Sequence, residues 1–156
     1  MRVFRVHLLA IAFVAACGEP SGLAPGQDVL RLQVTVAQSM IDVGDTTTAS
    51  ITLQNLTARV VTVGFSSGCQ ILPYIGVQPS DEIVYPSGGH WACTEAITEL
   101  TLPPRAKRIL TLPIRGGVAA RPSGTVALAP GEYLIHATLA SREFLITAEP
   151  ASLTVR

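Results

Sequence analysis

From residue 28 onward, apolar and polar residues alternate in short runs broken by Gly, Pro, Asn and Ser, the period-two pattern of half-buried strands. Leu30, Leu32, Val34 and Val36 alternate with Arg31, Gln33 and Thr35, so one face of a first strand is apolar. Asp42-Val43-Gly44-Asp45 supplies turn chemistry, and Thr47, Ala49, Ile51 and Leu53 set the parity of the next strand. Asn55-Leu56-Thr57 reads as a turn into residues 58–65, which makes these two strands a hairpin. Further short strands are expected at 69–77, 82–85, 97–102, 108–114, 132–139, 144–147 and 152–155. Residues 115–130, rich in Gly, Ala and Pro, read as a surface loop. No stretch after residue 27 carries an apolar stripe of helical period, and Pro recurs too often for long helices. The expected fold is all-β, an antiparallel sandwich of about seven to nine strands over residues 28–156.

The N-terminus follows another pattern. Arg2 and Arg5 precede the charge-free run from Leu8 to Ala16, which is shorter than the roughly 20 residues a spanning helix needs and fits a secretory h-region of about 7 to 15. Val14-Ala15-Ala16-Cys17 resembles the bacterial lipobox, in which the cysteine is acylated and becomes residue one after cleavage in front of it. That resemblance implies a lipoprotein signal peptide at 1–16, a lipidated Cys17 and a Gly/Pro/Ser tether over 17–27. A plain secretory signal with an Ala-x-Ala-like site is the simpler alternative. Two or more acyl chains hold a protein stably on a bilayer, at about 0.8 kcal/mol per buried methylene. Gly18 stands where enterobacterial lipoproteins retained in the inner membrane have Asp, so the expected location is the cell envelope, at the outer membrane.

Across 156 residues, 11 Lys and Arg balance 11 Asp and Glu, which gives no field to attract nucleic acid. Loss of 1–16 removes Arg2 and Arg5 but no acid, leaving a mature charge of about −2. The hydrophobic content of 48% is too high for a disordered chain.

With Cys17 assigned to lipid, the odd count of three cysteines leaves Cys69 and Cys93, and export makes a disulfide the default. The alternative is a metal site of Cys69, His90 and Cys93, but neither a second Cys-x-x-Cys nor a His pair supplies the missing ligand. No metal and no cofactor are therefore expected.

Gly44, the run from Thr48 to Thr57, and Val60-Val61-Thr62-Val63-Gly64-Phe65-Ser66-Ser67-Gly68 together resemble the core of BsuPI-type intracellular proteinase inhibitor domains. Leu100-Thr101-Leu102-Pro103-Pro104-Arg105 is similar to that family's Pro-containing turn, and Pro130-Gly131-Glu132-Tyr133 leads into a late strand as in many immunoglobulin-like bacterial domains. The resemblance implies an immunoglobulin-like sandwich and, as one function, proteinase inhibition. The chain departs from the family at Ser67-Gly68-Cys69-Gln70-Ile71-Leu72, and no inhibitory loop carries over residue by residue.

Gly64-Phe65-Ser66-Ser67-Gly68 also matches the nucleophile-elbow string G-x-S-x-G, which makes a serine hydrolase using Ser66 a remote alternative. An elbow needs a strand-to-helix turn, and a helix from Ser67 would run into Pro73. His136 shares parity with Leu134 and Thr138, which suits a half-buried structural histidine. The expected function is non-enzymatic: a lipid-anchored envelope protein, joined to the membrane by its N-terminal lipid, whose immunoglobulin-like module binds another envelope protein. Tyr74, Tyr85, His90 and Trp91, all on the excursion between Cys69 and Cys93, are the candidate contact residues.

Overall fold

The computed structural model describes residues 28–118 and 124–156. The expected signal peptide, Cys17 and the tether lie outside the described residues, as do residues 119–123 of the expected loop. The strands are β1 (Leu30–Val36), β2 (Met40–Ile41), β3 (Thr46–Asn55), β4 (Val61–Phe65), β5 (Ile71–Val77), β6 (Glu82–Tyr85), β7 (Thr98–Leu102), β8 (Lys107–Gly116), β9 (Val126–Leu128), β10 (Gly131–Ala140), β11 (Leu145–Thr147) and β12 (Ala151–Val155). A 3₁₀ turn at Ser87–Gly89 is the one helical segment among the described residues. The ten strands placed from sequence are all present, as β1, β3 to β8 and β10 to β12; β2 and β9, two and three residues long, are additional, which brings the described residues to twelve strands against the expected seven to nine.

One sheet runs β1-β3-β8-β9 and the second β2-β12-β10-β5-β6, with β11 also against β10 and a ribbon of β4 and β7 beside them. The order β1-β3-β8 facing β12-β10-β5 is the A-B-E against G-F-C layout of an immunoglobulin-like sandwich. The N-terminal strand divides between the layers, β1 joining the first sheet and β2 the second. Pairing is antiparallel except at two short places, β2 with β12 and β9 with β8.

Alternation places the core. Leu30, Leu32 and Val34 on β1 are buried while Arg31, Gln33 and Thr35 are exposed, because successive strand side chains point to opposite faces. Ala49, Ile51 and Leu53 of β3 and Ile114 of β8 meet Ile75, Ile135, Leu139 and Leu153 of the other sheet, all fully or almost fully enclosed. Each Leu or Ile among them contributes on the order of 1.5–3 kcal/mol by leaving water. Val63, Phe65, Leu100 and Leu102 of the ribbon close the side of the same core.

Two expectations require correction. β3 and β4 do not form a hairpin: β3 lies between β1 and β8, and β4 pairs with β7. The reason is Asn55, which is fully buried. Its amide nitrogen donates to the carbonyls of Arg59 (2.7 Å), Leu102 (3.1 Å) and Pro103 (2.9 Å), and its Oδ1 accepts from the N–H and Oγ1 of Thr57, both at 2.8 Å. The side chain thus ties the end of β3 to the end of β7 and sends the chain across to the ribbon. The second correction is inside the expected loop 115–130, where Arg115 and Gly116 complete β8 and Val126–Leu128 forms the buried strand β9.

Gly116 is required by a close approach. A Cβ there would lie 2.6 Å from the Asp42 carbonyl oxygen, and the Gly116 amide donates to Asp45 O at 3.0 Å. The expected turn at residues 42–45 is docked on β8 through this glycine.

Candidate functional site

The sulfurs of Cys69 and Cys93 are bonded to each other, which closes the excursion 70–92 into a loop containing β5, β6 and the 3₁₀ turn. Bonded sulfurs are not thiolate ligands, so the Cys69–His90–Cys93 metal alternative loses its donors. Among the described residues no three His, Cys, Asp or Glu side chains gather as a metal site. Backbone bonds hold both ends of the excursion: Gly68 N–H donates to Thr94 O at 3.0 Å, and Thr98 Oγ1 donates to Ser67 O at 2.9 Å.

Trp91 folds back over the start of β5, its Nε1 donating to Pro73 O at 3.1 Å. Its ring meets Tyr85 edge to face, centroids 5.3 Å apart and planes 85° apart, the arrangement that aromatic quadrupoles favour. Burial raises the Tyr85 phenol above its ordinary pKa. These two rings, the disulfide and Ile71 form one wall of a groove of about 420 Å³ between the sheets. Arg108, Leu110 and Leu112 of β8 form the other wall.

The four candidate contact residues are not one cluster. Tyr85 and Trp91 line the groove together. Tyr74 pairs with His136 on the outer face of the second sheet, because it has opposite parity to the inward Pro73 and Ile75. His136 is half-buried there. His90 is exposed beside Trp91. The groove wall on β8 was not among the candidates from sequence. Its signal is the alternation Arg108-Leu110-Leu112-Ile114, in which Ile114 is fully buried but Leu110 is 39% exposed.

Ser66 is exposed at the end of β4, and the chain after it turns through residues 66–70 into β5 rather than into a helix. The strand-to-helix turn that makes G-x-S-x-G an elbow is therefore not formed. Among the described residues no hydrogen bond joins Ser66 to a histidine.

No family model matches the chain, and no curated protein matches it either. Among solved structures, the chain is similar to the CARDB domain of the PF1109 protein from Pyrococcus furiosus, at 14% identity and a TM-score of 0.46 over 82% of this chain and 96% of that one. It is similar to the sporulation control protein Spo0M from Bacillus subtilis at 9% identity and a TM-score of 0.45, over 82% of this chain and 49% of that one. The alkylpurine DNA glycosylase AlkC of Pseudomonas fluorescens, bound to DNA containing an abasic site analog, aligns at 15% identity and a TM-score of 0.43. That alignment covers 81% of this chain and 30% of the glycosylase.

Proposed function

We propose that this protein is a lipid-anchored component of the bacterial cell envelope whose immunoglobulin-like domain binds a protein partner in the groove beneath Tyr85 and Trp91. The observation that carries this reading is the groove's construction. A disulfide-closed excursion holds two packed aromatic rings over the inward-facing Leu112, which is buried, and Leu110, which the sandwich leaves partly open to solvent. Rigid aromatic anchors beside an apolar wall supply contact area at small entropic cost. A lipid on Cys17 and a tether of about ten residues would keep this site near the membrane at high local concentration.

The test is photocrosslinking in the native envelope with a photoreactive residue at Leu110, and a control at exposed Val43 in the 42–45 turn. Adducts from position 110 that disappear in Trp91→Ala are expected. Equal adducts from position 43, or adducts from 110 that survive Trp91→Ala, would remove the groove as the binding site. A proteinase inhibitor needs a projecting side chain held rigid for a protease cleft; of the three large aromatics of this excursion, Tyr85 and Trp91 turn inward and Tyr74 lies half-buried beside His136 on the outer face of the second sheet.

A further inference from the structure

Positive and negative side chains gather at opposite ends of the sandwich. Arg31 pairs with Gln54 and Gln54 with Lys107 across β1, β3 and β8, which puts Arg31 and Lys107 on the outer face of one row, about 10 Å apart by two strand spacings. The two turns at that end, β3 to β4 and β7 to β8, carry Arg59 and Arg105. Asn55 holds both turns in place, since its amide nitrogen donates to the carbonyls of Arg59 and Pro103, and Arg105 N–H donates to Thr57 O at 3.2 Å. All four cations are exposed, and among the described residues none of them has a carboxylate partner. Asp28 is the described acid nearest in the chain to Arg31, and the Glu143 carboxylate is taken up by the Gly64 N–H at 3.1 Å. Between the cations the turns present Val60, 59% exposed, and the exposed Pro103 and Pro104. The other end is acidic: Asp42, Asp45, Asp81 and Glu132 are exposed in or beside its turns, where Arg156 is paired with Asp42 at 2.8 Å and Arg115 is the other described cation.

The chain enters the fold at the basic end. Val29 O accepts from Leu56 N–H at 2.8 Å, so β1 starts beside the turn that carries Arg59. From Gly18 to Gln27 there are ten residues, which span at most roughly 35 Å between Cys17 and this end. β3, also ten residues, is about as long again, and the acidic end lies that much further from Cys17.

We infer that this end of the sandwich seats on the anionic phospholipid surface of the membrane that holds the protein, with Arg31, Arg59, Arg105 and Lys107 against headgroup phosphates and Val60 at the apolar boundary between them. The inference rests on the reading of Cys17 as the anchor and is independent of the groove. Each Lys or Arg beside an anionic leaflet strengthens binding about fivefold, and a guanidinium can donate to two oxygens of one phosphate at once. Acyl chains fix the protein to the bilayer, and a basic patch next to them is the usual second signal. Repulsion of Asp42, Asp45, Asp81 and Glu132 from the same surface turns the acidic end outward.

The test mixes the processed full chain from detergent into vesicles of equal parts phosphatidylglycerol and phosphatidylcholine, with a photoreactive residue at position 60 or, from the acidic end, at position 43, where Val43 is 57% exposed. Lipid adducts from position 60 should exceed those from position 43 by about tenfold or more. The excess should vanish on phosphatidylcholine alone, in molar salt, and in the double variant Arg59→Gln, Arg105→Gln. Arg31→Gln with Lys107→Gln repeats the loss of charge on strand positions if the turn variant fails to fold, and Arg115→Gln should leave the excess unchanged. Equal adducts from both positions on the anionic vesicles overturn the seating. So does an excess at position 60 that persists on phosphatidylcholine alone, which assigns it to Val60 and not to the cations. Crosslinks from position 60 to a protein instead of lipid in the native envelope also overturn it, by giving this end to a partner chain. The mass of the N-terminal peptide reports acylation separately: an acylated chain with equal adducts fails the seating alone, whereas a chain without acyl mass fails the anchor reading and the seating with it.

Discussion

The Tyr133 hydroxyl donates to the Ala129 carbonyl at 2.7 Å, closing the turn by which the chain enters β10. Tyr133 lies two residues before the fully buried Ile135, where the tyrosine corner of an immunoglobulin-like strand F sits. The ring is itself buried and rests over Gly131, whose Cβ position is 3.5 Å from the hydroxyl.

Tyr133→Phe is expected to cost about 1 kcal/mol, the usual worth of one hydrogen bond, in urea unfolding of the oxidised protein. It has a pH signature as well. Burial raises the Tyr133 phenol above its ordinary 10.0, and Tyr85 shifts the same way for the same reason. Each folded-state pKa is raised, so the associated stability is fully present below pH 10.0 and is lost as pH rises through the folded value. Unfolding midpoints should fall above that pH, and less steeply in Tyr133→Phe. Phenolate absorbance with no late-titrating tyrosine would contradict this.

Asn55→Ala should destabilise the domain by about 3 kcal/mol or more, because the carbonyls of Leu102 and Pro103 and the groups of Thr57 lose their buried partner together. The turn is where β3 hands over to the ribbon, so hydrogen exchange should quicken first in β4 and β7. Uniform quickening across both sheets would show that Asn55 does not set the crossover.

Replacing Cys69 and Cys93 by serine removes a cross-link with a sequence separation of 24. On the chain-entropy account this costs roughly 3 kcal/mol. The sandwich keeps its own core without the bond, so the variant should stay folded with a lower urea midpoint and lose the Tyr85–Trp91 wall. Indole fluorescence moving toward that of free tryptophan checks the second effect, and a wild-type midpoint insensitive to reductant would argue against both.

Cys17→Ala bears on the anchor. The substituted chain should accumulate as an unprocessed precursor and incorporate no labelled fatty acid in its own cell. Normal processing of Cys17→Ala would leave a plain secretory signal as the better reading of residues 1–16.

Strand positions are legible in the chain because facing is a local property. Alternation in Leu30 to Val36 or Tyr133 to Leu139 depends on neighbours two residues apart, and burial follows that parity throughout. The Cys69–Cys93 pair was accessible by elimination once Cys17 was set aside. Pairing partners were not. The apolar parity of β3 suits β4 as well as β1 or β8, and Asn55 resembles any turn asparagine until the Leu102 and Pro103 carbonyls, more than forty residues later, arrive to bond it. β9 was missed because three residues are too few to show a period. Tyr74 and Tyr85 looked equivalent on one excursion, yet parity sends Tyr74 to the outer face and Tyr85 to the groove. The second wall of that groove comes from the opposite sheet. Periodicity along the chain settles which way a side chain points; which surface it then meets is a matter of long-range packing.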